Sequence, residues 1–211
     1  MIKADYIIKS LDELYPDAHC ELNYKSNFEL LIAVVLSAQT TDIKVNKVTK
    51  VLFDKYPDVF SLACANLNDV EEIIKPLGLY HNKAKNIINL SKVLVDKYNG
   101  EVINDRKFLE SLSGVGHKSA NIVLNNCFGV PAFAVDTHVS RVSKRLGIAN
   151  KDDDVKKIEE KLMAYFPKTL WGKLHHQFIF FGRYFCKAQN PNCKECHLYD
   201  MCKDKIKEVR K

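Results

Sequence analysis

Leu112-Ser113-Gly114-Val115-Gly116-His117-Lys118-Ser119-Ala120 joins two stretches of helical periodicity through two glycines one residue apart. Glycine tolerates the backbone angles such a turn demands, and a helix that starts just after it turns free N–H groups outward. That arrangement suits an anion. Taken alone, the turn reads as an ordinary helix–helix connection.

The flanks are helical almost throughout. Ala4, Ile7, Ile8, Leu11 and Leu14 form one apolar stripe, Val45, Val48 and Leu52 a second, and Ala84, Ile87, Ile88, Val93 and Leu94 a third. Phe28–Leu36 is apolar nearly all round and predicts a helix buried on every side. Lys118–Phe128 is expected in the middle of the core as well. Stops fall at Pro57, Pro76 with Leu77-Gly78, Asn99-Gly100, Gly129 and Gly147. Asp152, Asp153 and Asp154 sit where a helix macrodipole favours negative charge and predict an N-terminal cap. Ala132–Val135 is the one plausible extended piece. The fold class is therefore all-α, with a possible boundary at Gly129–Phe133.

Composition narrows the function classes. Hydrophobic residues make up 46% and charged residues 27%, the balance of a globular chain. Thirty-two Lys and Arg against 26 Asp and Glu give +6, which permits a polyanion partner without requiring one. A DNA phosphate is the natural anion for such a chain, and contacts of that kind position a protein without reading sequence. Residues 1–17 carry charges at Lys3, Asp5, Lys9, Asp12 and Glu13 and lack the apolar run of a signal peptide. The longest aliphatic run, Leu30–Leu36, is too short to cross a bilayer. No membrane partner is expected, and the expected location is cytoplasmic and nucleoid-associated.

Leu112–Asn121 resembles the helix–hairpin–helix motif. Leu36-Ser37-Ala38-Gln39-Thr40-Thr41-Asp42, Gly78-Leu79-Tyr80-His81-Asn82-Lys83-Ala84 and Val135-Asp136-Thr137-His138-Val139 resemble, in order, three signatures of the endonuclease III family of DNA glycosylases and AP lyases. With the tail cysteines the resemblance runs over about residues 20–202. Ser113 stands where that family usually has proline, which loosens the turn and removes no chemistry.

The resemblance implies a bifunctional DNA glycosylase/AP lyase of base excision repair that removes oxidised pyrimidines from duplex DNA. It implies Lys118 as nucleophile and Asp136, eighteen residues later, as the essential carboxylate. Lys118 would attack C1′, expel the base and form a Schiff base, and β-elimination would cut 3′ to the abasic site. A lysine of ordinary pKa is neutral in only about one molecule in a few thousand at pH 7. A helix start, worth roughly 0.3–1 kcal/mol, shifts that by well under one unit. Activation must come mainly from desolvation or a proton acceptor. A nearby carboxylate would raise a lysine's pKa, so Asp136 is expected instead to stabilise positive charge on the sugar and relay a proton.

Blander readings stand beside these. Lys118 alone reads as a phosphate-contacting or solvated helix-start lysine, and Asp136 alone as the N-cap of a helix beginning near Thr137. An enzyme that flips a base must fill the gap. By resemblance Gln39 plugs the vacated space and Leu79 wedges into the opposite strand, against a core-packing reading for Leu79. Gly114 and Gly116 are expected to meet phosphate. His138 is expected either to serve DNA binding or to be a packed, hydrogen-bonded histidine. Lys83 and Lys85, with the polar face Arg141, Lys144 and Arg145, are expected to contact phosphates or to be solvated.

Cys186, Cys193, Cys196 and Cys202 place four thiolates within 17 residues. A structural zinc site and an iron–sulfur cluster both accept four cysteines. By resemblance the spacing is that of a 4Fe–4S cluster. Lys187–Asn192 holds one basic residue where several are common in relatives, with Lys194 nearby to compensate. DNA affinity through this loop is therefore expected to be weaker, or to be supplied by Lys203, Lys205, Lys207 and Arg210.

The whole implies a two-lobed helix–hairpin–helix glycosylase fold with a C-terminal cluster loop. Residues 20–130 would carry the hairpin, and residues 1–19 and 131–211 the cluster and the catalytic Asp136, with DNA held between. The partner would be double-stranded DNA containing damaged bases or abasic sites, and the protein a monomer. An adenine-specific mismatch enzyme fits less well, because Lys118 is present, Leu36–Thr41 holds no carboxylate and the chain ends soon after Cys202. A non-catalytic DNA-binding module leaves Asp136 and Gln39 without purpose. An electron carrier leaves the 185 residues before Cys186 unexplained.

Overall fold

The structure, a computed structural model, describes residues 2–204, so Lys205, Lys207 and Arg210 lie outside the described residues. The described chain is helical: α1 (Ile2–Leu14), α2 (Asn27–Leu36), α3 (Asp42–Lys55), α4 (Val59–Ala63), α5 (Leu67–Ile74), α6 (Tyr80–Tyr98), α7 (Arg106–Ser111), α8 (His117–Phe128), α9 (Thr137–Arg145), α10 (Val155–Tyr165) and α11 (Trp171–Phe180). A turn of π-helix, Phe181–Phe185, continues α11. Among the described residues there is no strand, and no helix is long and apolar enough to cross a membrane.

The chain divides into two compact units, Glu21–Phe128 and the remainder on either side of it. In the Glu21–Phe128 unit, α2 is the hub and packs against α3, α6 and α8. Its start is fixed locally: Ser26 accepts from Glu29 N, and the Glu29 carboxylate reaches back to Lys25 N. Leu30 through Leu36 are each at most 3% exposed, so the all-round apolar reading holds. Each such aliphatic side chain contributes about 1.5–3 kcal/mol by leaving water. The stripes on α3 and α6 face inward as their spacing requires, with Val45, Val48, Leu52, Ala84, Ile87, Ile88 and Leu94 buried. Helix α6 stops at Asn99, whose φ is +50°, and Gly100 N returns to Leu94 O. Helix α8 departs from expectation: it buries Ala120, Asn121, Val123 and Leu124 and leaves its first residues in solvent. It caps the core on one face, and the middle is α2's.

In the other unit, Ala4, Ile7 and Leu11 of α1 join Val139, Val142, Ile158, Leu162, Leu174 and Phe178 in one core. Phe133 sits among the rings of Phe166 and Phe178, at centroid distances of 6.3 and 6.1 Å. Ala132–Val135 forms no strand; it is a buried connection that threads this core. Gln177 Nε2 donates to Asp12 Oδ1 and Tyr15 O, fastening α11 to α1. The acidic run before α10 splits into separate duties. Asp154 caps the helix by accepting from Lys157 N, and buried Asp153 pairs with Lys157 and Lys161.

Candidate active site

Helices α7 and α8 flank the turn read first in the sequence. Gly114 adopts φ +81°, and a Cβ there would lie 2.8 Å from Asn86 Nδ2 and 3.0 Å from Val35 Cγ1. Only glycine lets the turn lie this close to α6 and α2. The space around Gly116 is open. Across the turn, His117 Nδ1 meets Glu110 Oε1 at 2.9 Å and its Nε2 accepts from Asn121 Nδ2 at 3.3 Å. Arg106 Nη1 donates to Asn121 Oδ1 and lies 3.8 Å from Glu110 Oε1. This side-chain chain bolts α7 to α8 and fixes the helix start that carries Lys118. Sequence reading missed Arg106, Glu110 and Asn121; the i, i+4 spacings Arg106/Glu110 and His117/Asn121 were the available signal.

Lys118, the second residue of α8, is exposed and forms no ion pair among the described residues. The first N–H groups of a helix have no partner within it, so this helix start has donors to offer an anion.

Asp136 belongs to the other unit and is the N-cap of α9, its Oδ1 accepting from Val139 N at 2.8 Å. The capping reading is thus a fact of the structure, and it holds one carboxylate oxygen in a fixed direction. His138 is half-buried and accepts at Nδ1 from Arg141 Nη2. It packs on Gly182 of the π-turn, where a Cβ would stand 2.8 Å from His138 Cβ.

Gln39 and Leu79 are exposed, Leu79 by 58%, so core packing does not account for Leu79. Both have left-handed backbones, with φ of +55° and +51°. Among the described residues only Asn99 and Asn190 share this state without being glycine, and asparagine is a residue that tolerates it. Holding a Gln and a Leu there costs roughly 1–2 kcal/mol each, so the surrounding structure must impose it.

Lys83 corrects an expectation. It does not present its ammonium to phosphates but is 4% exposed in the first turns of α6. Its Nζ donates to Thr40 Oγ1 at 3.1 Å and Leu77 O at 3.2 Å, because residues 37–41 and the 3₁₀ turn Lys75–Leu77 fold over it. Burial lowers its pKa.

The face of α9 corrects a second. Arg145 is 9% exposed, and it bonds to Cys186 O, Cys186 Sγ and Lys187 O through Nη1 and to Asp204 through Nε. Arg141 donates to Cys186 O and Gly182 O. Both guanidiniums satisfy carbonyls of the cysteine loop and are not turned to phosphate. Two arginines at i, i+4 on one helix were the signal for a shared partner.

Cys186, Cys193, Cys196 and Cys202 are all half-buried, on and between short turns. Among the described residues no three His, Cys, Asp or Glu side chains converge as a ready-made metal-binding group. The donor chemistry nonetheless suits a thiophilic centre. Burial, then the charges of the other three sulfurs, push the Cys196 thiol up to about 11. Thiolates that destabilise one another in this way are what a bound cation relieves.

Residues 32–168 match the HhH-GPD superfamily of base excision DNA repair proteins. An endonuclease III from Bacillus subtilis (strain 168) is 49% identical over 207 residues, covering 98% of this chain and 94% of the relative. A solved non-covalent endonuclease III–DNA complex is 53% identical with a TM-score of 0.94, covering 98% of this chain and 97% of that one. A trapped endonuclease III–DNA covalent intermediate has a TM-score of 0.93 at the same identity and coverage. This chain therefore belongs to the HhH-GPD superfamily of base excision DNA repair proteins, and within it to the endonuclease III family.

Proposed function

We propose that Lys118 and Asp136 are the working pair of a bifunctional DNA glycosylase and AP lyase that removes oxidised pyrimidines from duplex DNA in base excision repair. The observation that carries this is Lys118: an exposed amine on a braced helix start, in a chain similar over nearly its whole length to a protein trapped covalently on DNA.

Neutral Lys118 Nζ attacks C1′ of the damaged nucleotide, and the C1′–N bond breaks as the base leaves with a proton. As the sugar ring opens, the nitrogen lone pair forms the C1′=N bond and the ring oxygen takes up a proton, giving a protonated Schiff base. Loss of a C2′ proton then expels the 3′ phosphate, which breaks the strand. Free Lys118 is exposed, so the desolvation that favours the neutral amine is supplied by the bound nucleotide. Asp136 stabilises positive charge on the sugar as the base departs and carries protons. Its N-cap bond supports this role, since a carboxylate already oriented needs little reorganisation.

Gln39 fills the space of the flipped base and Leu79 enters the opposite strand; their exposure and left-handed backbones support that reading. Gly114 and Gly116 bring the hairpin N–H groups to phosphate. With Nδ1 held by Arg141, His138 keeps Nε2 for a phosphate oxygen. The residue 20–130 lobe carries the hairpin, and residues 1–19 and 131–211 carry Asp136 and the cysteines. Cys186, Cys193, Cys196 and Cys202 hold a 4Fe–4S cluster that cross-links the tail and takes no part in the chemistry. The protein acts as a monomer in the cytoplasm, at the nucleoid.

Borohydride reduction on DNA carrying an abasic site or thymine glycol tests the assignment. A covalent adduct that disappears in Lys118→Ala is expected; no adduct with either DNA would sink it. Lys118→Gln separates the functions: DNA binding persists and strand cleavage vanishes.

A further inference from the structure

Lys83 is a costly residue where it stands. Its ammonium is almost wholly removed from water, and no carboxylate pairs with it among the described residues. It also occupies the start of α6, where the helix macrodipole disfavours a cation. An unpaired buried charge is a poor source of stability, and an apolar side chain of similar length would fill the space more cheaply.

What the ammonium touches suggests its use. Thr40 Oγ1, which accepts from Lys83 Nζ, itself donates to Leu77 O at 2.8 Å, and Lys83 Nζ donates to the same carbonyl. The three groups form a closed triangle between two loops. Thr40 follows Gln39 directly, and Leu77 lies two residues before Leu79. These loops therefore carry the exposed Gln and Leu held in left-handed backbone. A single buried cation braces the direct Thr40–Leu77 bond from both sides, fixing the separation of the two exposed side chains those loops carry.

We propose that Lys83 is a positioning residue for strand opening: it locks the Gln39 and Leu79 loops into one rigid two-pronged element, so that plug and wedge enter duplex DNA in a single event. The inference rests on the proposed roles of Gln39 and Leu79 and deepens them. Its chemistry requires a donor able to satisfy two acceptors at once. Arginine's planar fork does not present donors in the geometry of an ammonium, and methionine fills the space without donating.

The test compares the parent protein with Lys83→Met and Lys83→Arg on two abasic substrates. One is a duplex with 2-aminopurine opposite the abasic site, whose fluorescence rises when that base is unstacked. The other is the same abasic strand without its complement, which needs no opening. For Lys83→Met the 2-aminopurine rise is expected to be lost, and duplex cleavage to fall about 100-fold, the cost of a catalytic element displaced by about an ångström. The single-strand rate is expected to fall at least tenfold less than the duplex rate. Far-UV circular dichroism reports whether each variant folds, and Thr40→Val, which removes the triangle's hydroxyl, is expected to give the same substrate pattern more weakly. Equal losses on both substrates, or a Lys83→Met duplex rate within twofold of parent with full fluorescence, would overturn the inference. A parent protein that traps no abasic DNA would overturn the underlying assignment, and this inference with it.

Discussion

Helices α6 and α8 each begin with a lysine in their first turns, and the two lysines meet opposite fates. Lys83 is folded under two loops and donates both ways; Lys118 stands in solvent beside a braced turn. The same residue type and the same unfavourable dipole thus give a buried, twice-bonded cation in one place and an exposed amine in the other. What separates them is the cover. At α6 the preceding chain closes over the helix start, while at α8 the Gly114 turn lies down on α2 and α6 and leaves the helix start open. A nucleophilic lysine has to be reachable, and a loop clamp has to be sealed.

Loss of the exposed amine is the harshest test of this contrast. Lys118→Ala is expected to reduce strand cleavage by roughly 10⁴-fold or more, approaching the ~10⁶-fold scale of a deleted covalent nucleophile, in a gel assay on abasic duplex DNA. A fall of less than tenfold would move the chemistry away from α8. Next, the exposed lysine is held to need a partner outside its own helix. Asp136→Asn keeps a good N-cap, so thermal stability should change by less than about 0.5 kcal/mol. Base excision should nonetheless drop roughly 10²–10⁴-fold, as for a lost proton-transfer group.

A matched pair of substitutions sharpens the comparison on stability. Lys118→Met should alter unfolding free energy by no more than about 0.5 kcal/mol, being a surface change. Lys83→Met should show a pH-dependent difference from parent. Burial holds the folded pKa of Lys83 below the ordinary 10.5. Below the lowered value both states are charged and the folded protein bears the full cost of burial. Between that value and 10.5 the unfolded chain binds the extra proton, so parent stability rises with pH relative to Lys83→Met. Urea unfolding across that window, with a flat difference, would mean the ammonium is better solvated than it looks. The smallest effect is expected from Arg106→Leu, which removes one bond from the brace beneath Lys118. About 1 kcal/mol of stability should go, with duplex cleavage reduced less than in Asp136→Asn.

Much of this was readable from the chain. The all-round apolar run at Phe28–Leu36, the stripes of α3 and α6 and the stop at Asn99-Gly100 are local signals, and local physics honours them. Lys83 and Lys85 looked alike because periodicity reports only which face of α6 is apolar. Residues 37–41 and 75–77 decide the difference, and they arrive from elsewhere in the chain. Arg141 and Arg145 failed for a related reason. Opposite Val139, Val142 and Leu146 they read as a wet face, until the loop from Cys186 supplies carbonyls that those guanidiniums meet. Helix α8 looked central because its composition is apolar, yet one buried face is all its neighbours cover. Side chains that serve at a distance leave no trace in a window of neighbouring residues.

The cap formed by Asp136 has a consequence for descent. Asparagine at this position keeps the bond to Val139 N and loses the charge; glutamate keeps the charge on an arm too long for the cap. Under the role proposed for Asp136, neither replacement preserves both, so a lineage leaving aspartate by either route passes through a damaged intermediate. Under that role, position 136 is held by two independent demands meeting on one side chain, and neither route offers a neutral exit from it.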